Sequence, residues 1–336
     1  MNPVPLTARV AVIGPHILDV LGRPVEAIPP GQASSRLTEI RATAAGTAAG
    51  TAVDLARLGW PVATFGAVGT DLLGDMVLAA MAGYGVDTSG VVRKPGAQTS
   101  ATILPIRSNG ERPALHVPGA TRLFSLSDLD LEQLAGYRAV VLGGPDALAG
   151  FSPDDLAGLV AAARAAGALV VVDVLHPGSA RDLERIGAAL GGADWFCPNS
   201  DQLLALTGRS DVDRAVADVL ALGAGGVAVT LGADGCLVTD ATGALAHIPA
   251  IEVPVVDTTG CGDAFTAGLL TGLLLGSDPA DAAWLGVACG SLAATGLGSD
   301  AGLTGIGQAV ALLRTVNTEV ADRIHQCRIG EGESAA

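Results

Sequence analysis

The sequence predicts an α/β protein: a three-layer α/β/α domain built on a mostly parallel sheet, with a small antiparallel β lid beside it. Three observations carry that prediction. Short β-branched runs such as "RVAVIG", "RAVVLGG" and "ALVVVDV" alternate with longer helical stretches such as "SPDDLAGLVAAARAAG". That alternation implies a parallel sheet covered on both faces. Residues 21–44 and 97–119 break the rhythm, and in the second Asn109-Gly110 separates two strand-like runs, a hairpin signal. Finally, 49% of the 336 residues are hydrophobic and only 16% are charged, which suits one sizeable core and argues against general disorder.

The elements follow in order. "MNPVPLTARVAVIG" has no basic leader or cleavage pattern and ends in the first buried strand. "GTAVDLARLG" is a helix closed by Gly59, "WPVATFGAVG" a strand, and "DLLGDMVLAAMAGYG" a helix ending at Gly85. In the helix after Phe151, Ser152 is the N-cap, Pro153 takes the first position, and Asp154 and Asp155 face the positive helix end. "DWFCPN" and "GGVAVTLG" add further strands. The run "GLLTGLLLG" is too short to span a membrane and reads as a core helix. Residues 1–325 form one domain, and the small, polar stretch 326–336 reads as a disordered tail.

Composition narrows the function. Thirty-four acids against 19 bases give a formal charge of −15, which disfavours a nucleic-acid surface. The single lysine, Lys94, lies in a loop-like stretch, and "GTAAGTAAGT" lacks the lysine of a P-loop. Five scattered cysteines without paired spacing exclude a disulfide framework or zinc site and fit a reducing cytoplasm. "GAGGVA" follows a helix and precedes a strand, the reverse of a dinucleotide fingerprint.

The informative stretch is "VDTTGCGDAF". Gly260, Cys261 and Gly262 bring nearly bare backbone to a helix start, where unpaired N–H groups and the helix dipole receive an anion. Asp263 beside them would repel a static phosphate, yet it suits a general base next to a transferring phosphoryl group. For an isolated motif of this kind the plainer reading, a glycine turn with Asp263 as N-cap, would prevail.

The surrounding blocks decide between those readings. "VVDTTGCGDAFTAGLL", "GPHILD", "LARLG", "GAVGTDLLGD", "NGER", "CPNSDQLLALTG" and "VTLGADG" together resemble, in order and over nearly the whole chain, the ribokinase-like (phosphofructokinase B-type) carbohydrate kinases. The resemblance implies transfer of the γ-phosphate of ATP, with Mg²⁺, to a hydroxyl of a sugar or sugar-like molecule. It implies Asp263 as base, Gly260–Gly262 as anion hole, Asp19 and Gly46 at the substrate, and Asn199, Thr230, Gly232 and Gly235 at the nucleotide. Asp257 and Thr259 match positions that hold a monovalent cation such as K⁺ in some members; as helix-entry caps they read equally well. The lid sheet would close over the substrate and pair with a second copy as a homodimer.

The chain departs from the family pattern at two points. Gly50 stands where an asparagine usually reads substrate hydroxyls, which leaves backbone contact or room for a bulkier substrate. Gln202 replaces a glutamate that organises magnesium through water; the amide keeps the shape but loses the charge, so an altered magnesium response is expected. His16 and His116 could each touch the substrate, although a lone loop histidine is more often merely solvated. Arg36, Arg41, Arg107 and Arg112 in the lid are available to a phosphosugar, although exposed arginine is the ordinary reading. A nucleoside kinase and a binding-only regulatory protein are the competing functions.

Overall fold

The computed structural model describes residues 8–243 and 245–334. Nine strands form one sheet in the order β13-β12-β11-β10-β9-β8-β1-β4-β5. They are β1 (Val10–Ile13), β4 (Val62–Gly69), β5 (Asp87–Lys94), β8 (Ala139–Gly143), β9 (Leu169–Asp173), β10 (Trp195–Phe196), β11 (Gly226–Thr230), β12 (Cys236–Asp240) and β13 (Leu245–Ile248). All neighbours run parallel except β11–β12 and β12–β13.

Both faces of this sheet are covered, as continuous apolar strands require. Val10 and Val12 point into one core, packed by α1 (Thr47–Arg57), α2 (Leu72–Gly83), α7 (Cys261–Leu274), α8 (Pro279–Ala293), α9 (Ile306–Arg314) and α10 (Thr318–Ser334). Ala11 and Ile13 point into the other, packed by α3 (Pro153–Ala165), α4 (Ala180–Gly192), α5 (Ser200–Thr207) and α6 (Val212–Ala221). The expected start of α3 is present: Ser152 and Asp155 form a reciprocal capping box with Pro153 at the first position.

The lid is a four-stranded sheet in the order β3-β2-β6-β7, with β2 (Ile17–Arg23), β3 (Glu39–Ala45), β6 (Ser100–Pro105) and β7 (Leu115–Val117). It starts four residues earlier than read, at Ile17, and its central β2–β6 pair is parallel while the outer pairs are antiparallel. The Asn109-Gly110 turn lies inside a nine-residue connection, 106–114, and does not join the strands directly. Gly110, at φ +86°, donates to Arg107 O there. Pro105 and Pro113, which lack an N–H, end the ladder on either side.

The tail read as disordered from residue 326 instead continues α10 as far as Ser334. Val320, Ala321 and Ile324 anchor the helix in the core, and extending a helix already nucleated costs little. Residues 335 and 336 lie outside the described residues. Among the described residues no helix is long and apolar enough to cross a membrane.

Candidate active site

The loops that leave β1, β8 and β9, and the N-termini of α1 and α7, meet at the carboxyl edge of the parallel strands, where open α/β sheets bind ligands. The lid stands over this edge. β2 continues from the loop after β1, and β3 leads through Gly46 into α1. Gly46 has φ +87°, and a Cβ there would lie 2.8 Å from Pro15 O, so only glycine fits this junction.

α7 begins at Gly260, which caps it in the left-handed conformation and offers no side-chain cap. A Cβ on Gly260 would lie 2.6 Å from Ser299 Cα, whereas one on Gly262 would meet nothing within 4 Å. Gly260 is therefore fixed by packing, and Gly262 leaves an open face where the first-turn amides can meet an anion. Cys261 is half-buried, and burial pushes its thiol up to about 12, so it stays protonated.

Asp263 is not an N-cap. It is the third residue of α7, buried among carboxyls. Burial raises its pKa well above the ordinary carboxylate range, and Asp173, Asp54 and Asp19 add to that. Arg112 pulls it back. A carboxyl moved upward towards neutrality suits a base that must gain a proton in the reaction. Asp19 on β2 is also buried, and desolvation moves it up to about 6 against a hydrogen bond from Thr102 and the charge of Arg112.

Gly50 lies on α1 directly against the candidate base: a Cβ there would stand 2.4 Å from Asp263 Oδ2. The missing side chain makes room for Asp263, and this is its structural reason.

On the other side of the site, Asn199 and Thr230 are joined by a parallel β-bridge beside Gly232. A Cβ on Gly232 would meet nothing within 4 Å, which leaves an open surface. Gly235 differs: its Cβ would lie 2.0 Å from Ile248 O, so it is a packing glycine against β13. Gln202 departs from the magnesium expectation. Its Oε1 accepts from Asn199 N at 2.8 Å, Asn199 Oδ1 accepts from Gln202 N at 2.8 Å, and Nε2 donates to Val174 O at 2.9 Å. Both ends of the amide are engaged in closing α5 onto β9, a task that needs a donor and that a carboxylate could not perform.

Asp257 and Thr259 form a buried cap. Asp257 Oδ1 accepts from Thr259 N at 3.1 Å and from its Oγ1 at 2.9 Å, and Oδ2 accepts from Gly298 N at 2.9 Å. The loop at Gly298 is held on both sides by Arg41 of the lid, which donates to Leu297 O at 3.0 Å and to Asp300 Oδ1 at 2.9 Å.

Four site features escaped the sequence reading. Arg112 reaches from the lid connection to donate to Thr259 Oγ1 at 3.1 Å, so although exposed it has a partner at the start of α7. Asp173 ends β9 and accepts from Thr266 of α7 at 3.1 Å; burial raises it to about 7. Its position at a parallel strand's carboxyl end was the available signal. Asp54, one turn beyond Gly50, is fully buried with neither oxygen hydrogen-bonded among the described residues. His16 is buried, not solvated: its ring nitrogens lie 2.9 Å from Gly14 O and 2.9 Å from Thr64 Oγ1, and desolvation lowers it to about 4.

Known proteins resemble this chain in sequence and in fold. The family model for pfkB family carbohydrate kinases matches residues 7–304. An ATP-dependent ribose-1-phosphate kinase of Halopiger xanaduensis is 30% identical over 276 residues, 80% of this chain and 86% of its own length. A 2-dehydro-3-deoxygluconokinase of Bacillus subtilis is 30% identical over 259 residues, 74% of this chain and 79% of its own. The structure of Arabidopsis thaliana ribokinase, complexed with ribose and ATP, has a TM-score of 0.77 at 24% identity, covering 92% of this chain and 99% of that one, a likeness of fold. On a match that runs through all four strands of the lid and the whole of α7, the chain belongs to the pfkB family of carbohydrate kinases.

Proposed function

We propose that the chain transfers the γ-phosphate of ATP to a hydroxyl of a sugar, with Asp263 as general base. The observation that carries this reading is the uncapped N-terminus of α7 with Asp263 buried in its first turn. Asp263 takes the proton of the acceptor hydroxyl. The amides of Gly260–Gly262 hold the transferring phosphoryl group, and Arg112 adds positive charge from the lid. Asp19 orients the acceptor, while Asn199, Thr230 and Gly232 border the nucleotide. Bound magnesium supplies charge neutralisation on the ATP phosphates; Gln202 is not its ligand in this reading. An ATP-consumption assay over free sugars, sugar phosphates and nucleosides, with Asp263→Asn as blank, tests the assignment. Turnover that persists in that variant would remove Asp263 from the role.

Three further readings rest on particular residues. Asp257 and Thr259 act as caps, not as a K⁺ site, because every oxygen of the Asp257 carboxylate already accepts hydrogen bonds and the guanidinium of Arg41 steadies the adjoining loop. The lid pairs with a second copy: its outer face exposes Ile40, Ile103, Leu115 and Val117, and Ile103 and Leu115 are direct cross-strand partners. Sedimentation of Ile103→Glu as monomer, against a wild-type dimer, is the expected result. Five free thiols suit a reducing cytoplasm.

A further inference from the structure

A cavity of about 330 Å³ opens between the lid and the loops that follow β1, β8 and β9. Pro15 and Ile17 form part of its wall, and His116, Arg122, Asp146 and His176 bring polar groups to it. Ile17 precedes Asp19 by two residues on β2, so the two side chains share a face about 7 Å apart. The cavity thus begins within the span of one sugar held by Asp19.

The lid's inner face reaches into this cavity through one register row. Thr43, Asp19, Thr102 and His116 are successive cross-strand partners on β3, β2, β6 and β7. The Thr102 hydroxyl donates to Asp19 and lies 3.0 Å from His116 Nδ1. That polarity assigns the Nδ1 proton to the Thr102 contact and leaves Nε2 of the neutral ring as an acceptor, suited to a sugar hydroxyl and not to an anion.

The charges lining the cavity are unequal in availability. Asp146 is the acid in the wall, and its carboxylate is engaged: it accepts from Leu175 N at 2.9 Å, His176 N at 2.9 Å and His176 Nδ1 at 3.0 Å. Its side chain is only 3% exposed. Arg122, by contrast, is exposed and has no hydrogen-bond or ion-pair partner among the described residues. The fork of a guanidinium matches a phosphate or carboxylate through two parallel hydrogen bonds, which a neutral hydroxyl cannot offer.

We infer that this cavity receives an anionic group, phosphate or carboxylate, carried by the sugar acceptor away from its reacting hydroxyl, with Arg122 as the principal contact and His176 beside it. The inference rests on the sugar-kinase reading for the orientation of the acceptor. Two separate measurements keep the failures of each apart.

Calorimetric titration reads the cavity without turnover. Ribose 1-phosphate probes the phosphate source, 2-dehydro-3-deoxygluconate the carboxylate source, and ribose and fructose are the neutral controls. One anionic sugar is expected to bind at least about tenfold more tightly than either neutral sugar, and Arg122→Ala to remove most of that preference while Arg122→Lys restores part of it. Tighter binding of a neutral sugar, or an anionic preference unchanged in Arg122→Ala, would overturn the inference. In the coupled kinase assay, the ratio of kcat/KM for the preferred anionic sugar over ribose should fall at least about tenfold in Arg122→Ala, chiefly through KM. Anionic binding that depends on Arg122, without phosphate transfer, would sustain the subsite and defeat the kinase reading alone.

Discussion

Gly50 of α1 and Asp263 of α7 occupy one space: a Cβ on the glycine would stand 2.4 Å from the carboxylate oxygen Oδ2. Two helices far apart in the chain are thereby packed so that one supplies the candidate base and the other supplies the gap it fills. Alanine at position 50 should favour the helix intrinsically by about 0.5–1 kcal/mol. It must nevertheless push Asp263 aside, and a displacement of the order of 1 Å costs about 100-fold in rate. Gly50→Ala is therefore expected to stay folded by circular dichroism and to lose about two decades of kcat. Full activity in that variant would mean that Asp263 moves without consequence.

Asp263→Asn keeps the shape of the first turn and removes the base. Turnover should fall by about 10²–10⁴, the range of general-base contributions. ATP binding, measured by titration, should change little because the amides of α7 remain.

Arg112 tests the electrostatics. Its charge lowers the pKa of both Asp19 and Asp263. Without it both carboxyls hold their protons to higher pH, and a base must be deprotonated to act. The acid limb of the kcat/KM profile should accordingly move to higher pH in Arg112→Ala. A limb that stays in place while the rate falls would limit Arg112 to phosphate contact.

Arg41 holds Leu297 and Asp300 on either side of the segment that packs on Gly260. Wild-type turnover should be the same in K⁺ and in tetramethylammonium salts. Arg41→Ala should turn over more slowly and recover in part with added guanidinium. Activation of the wild type by K⁺ beyond about fivefold, a free-energy effect near 1 kcal/mol, would contradict the reading of Asp257 and Thr259 as caps.

Gln202→Glu replaces the donor to Val174 O by a carboxylate. Leaving that carbonyl facing an acceptor should cost about 1–3 kcal/mol, read as a lowered Tm. The magnesium dependence should not change. An unaltered Tm with a shifted magnesium optimum would return Gln202 to the metal.

The long elements were legible because their patterns are local. Alternation of apolar strands with capped helices gave the sheet and its cover, and the Ser152 N-cap with Pro153 after it could be placed to the residue. The α7 motif was readable only together with the other blocks in order along the chain, since glycine and acid at a helix start also suit a plain capped turn. The parallel β2–β6 pair was not, because pairing partners and strand direction depend on contacts over eighty residues of chain. His16 was misjudged for a related reason: a histidine in a loop looks solvated until Thr64 of another strand closes on it.

By itself, then, the sequence determined the α/β architecture, the glycine turn at the start of α7 and the acid beside it, since each follows from residue type and near-neighbour spacing. Only the tertiary structure decided why position 50 is bare, that Gln202 braces α5 onto β9, and that Arg112 enters the site while Arg122 borders the cavity beside it. Those roles arise where side chains from remote elements meet, and a buried charge or a missing Cβ acquires its meaning from what lies opposite.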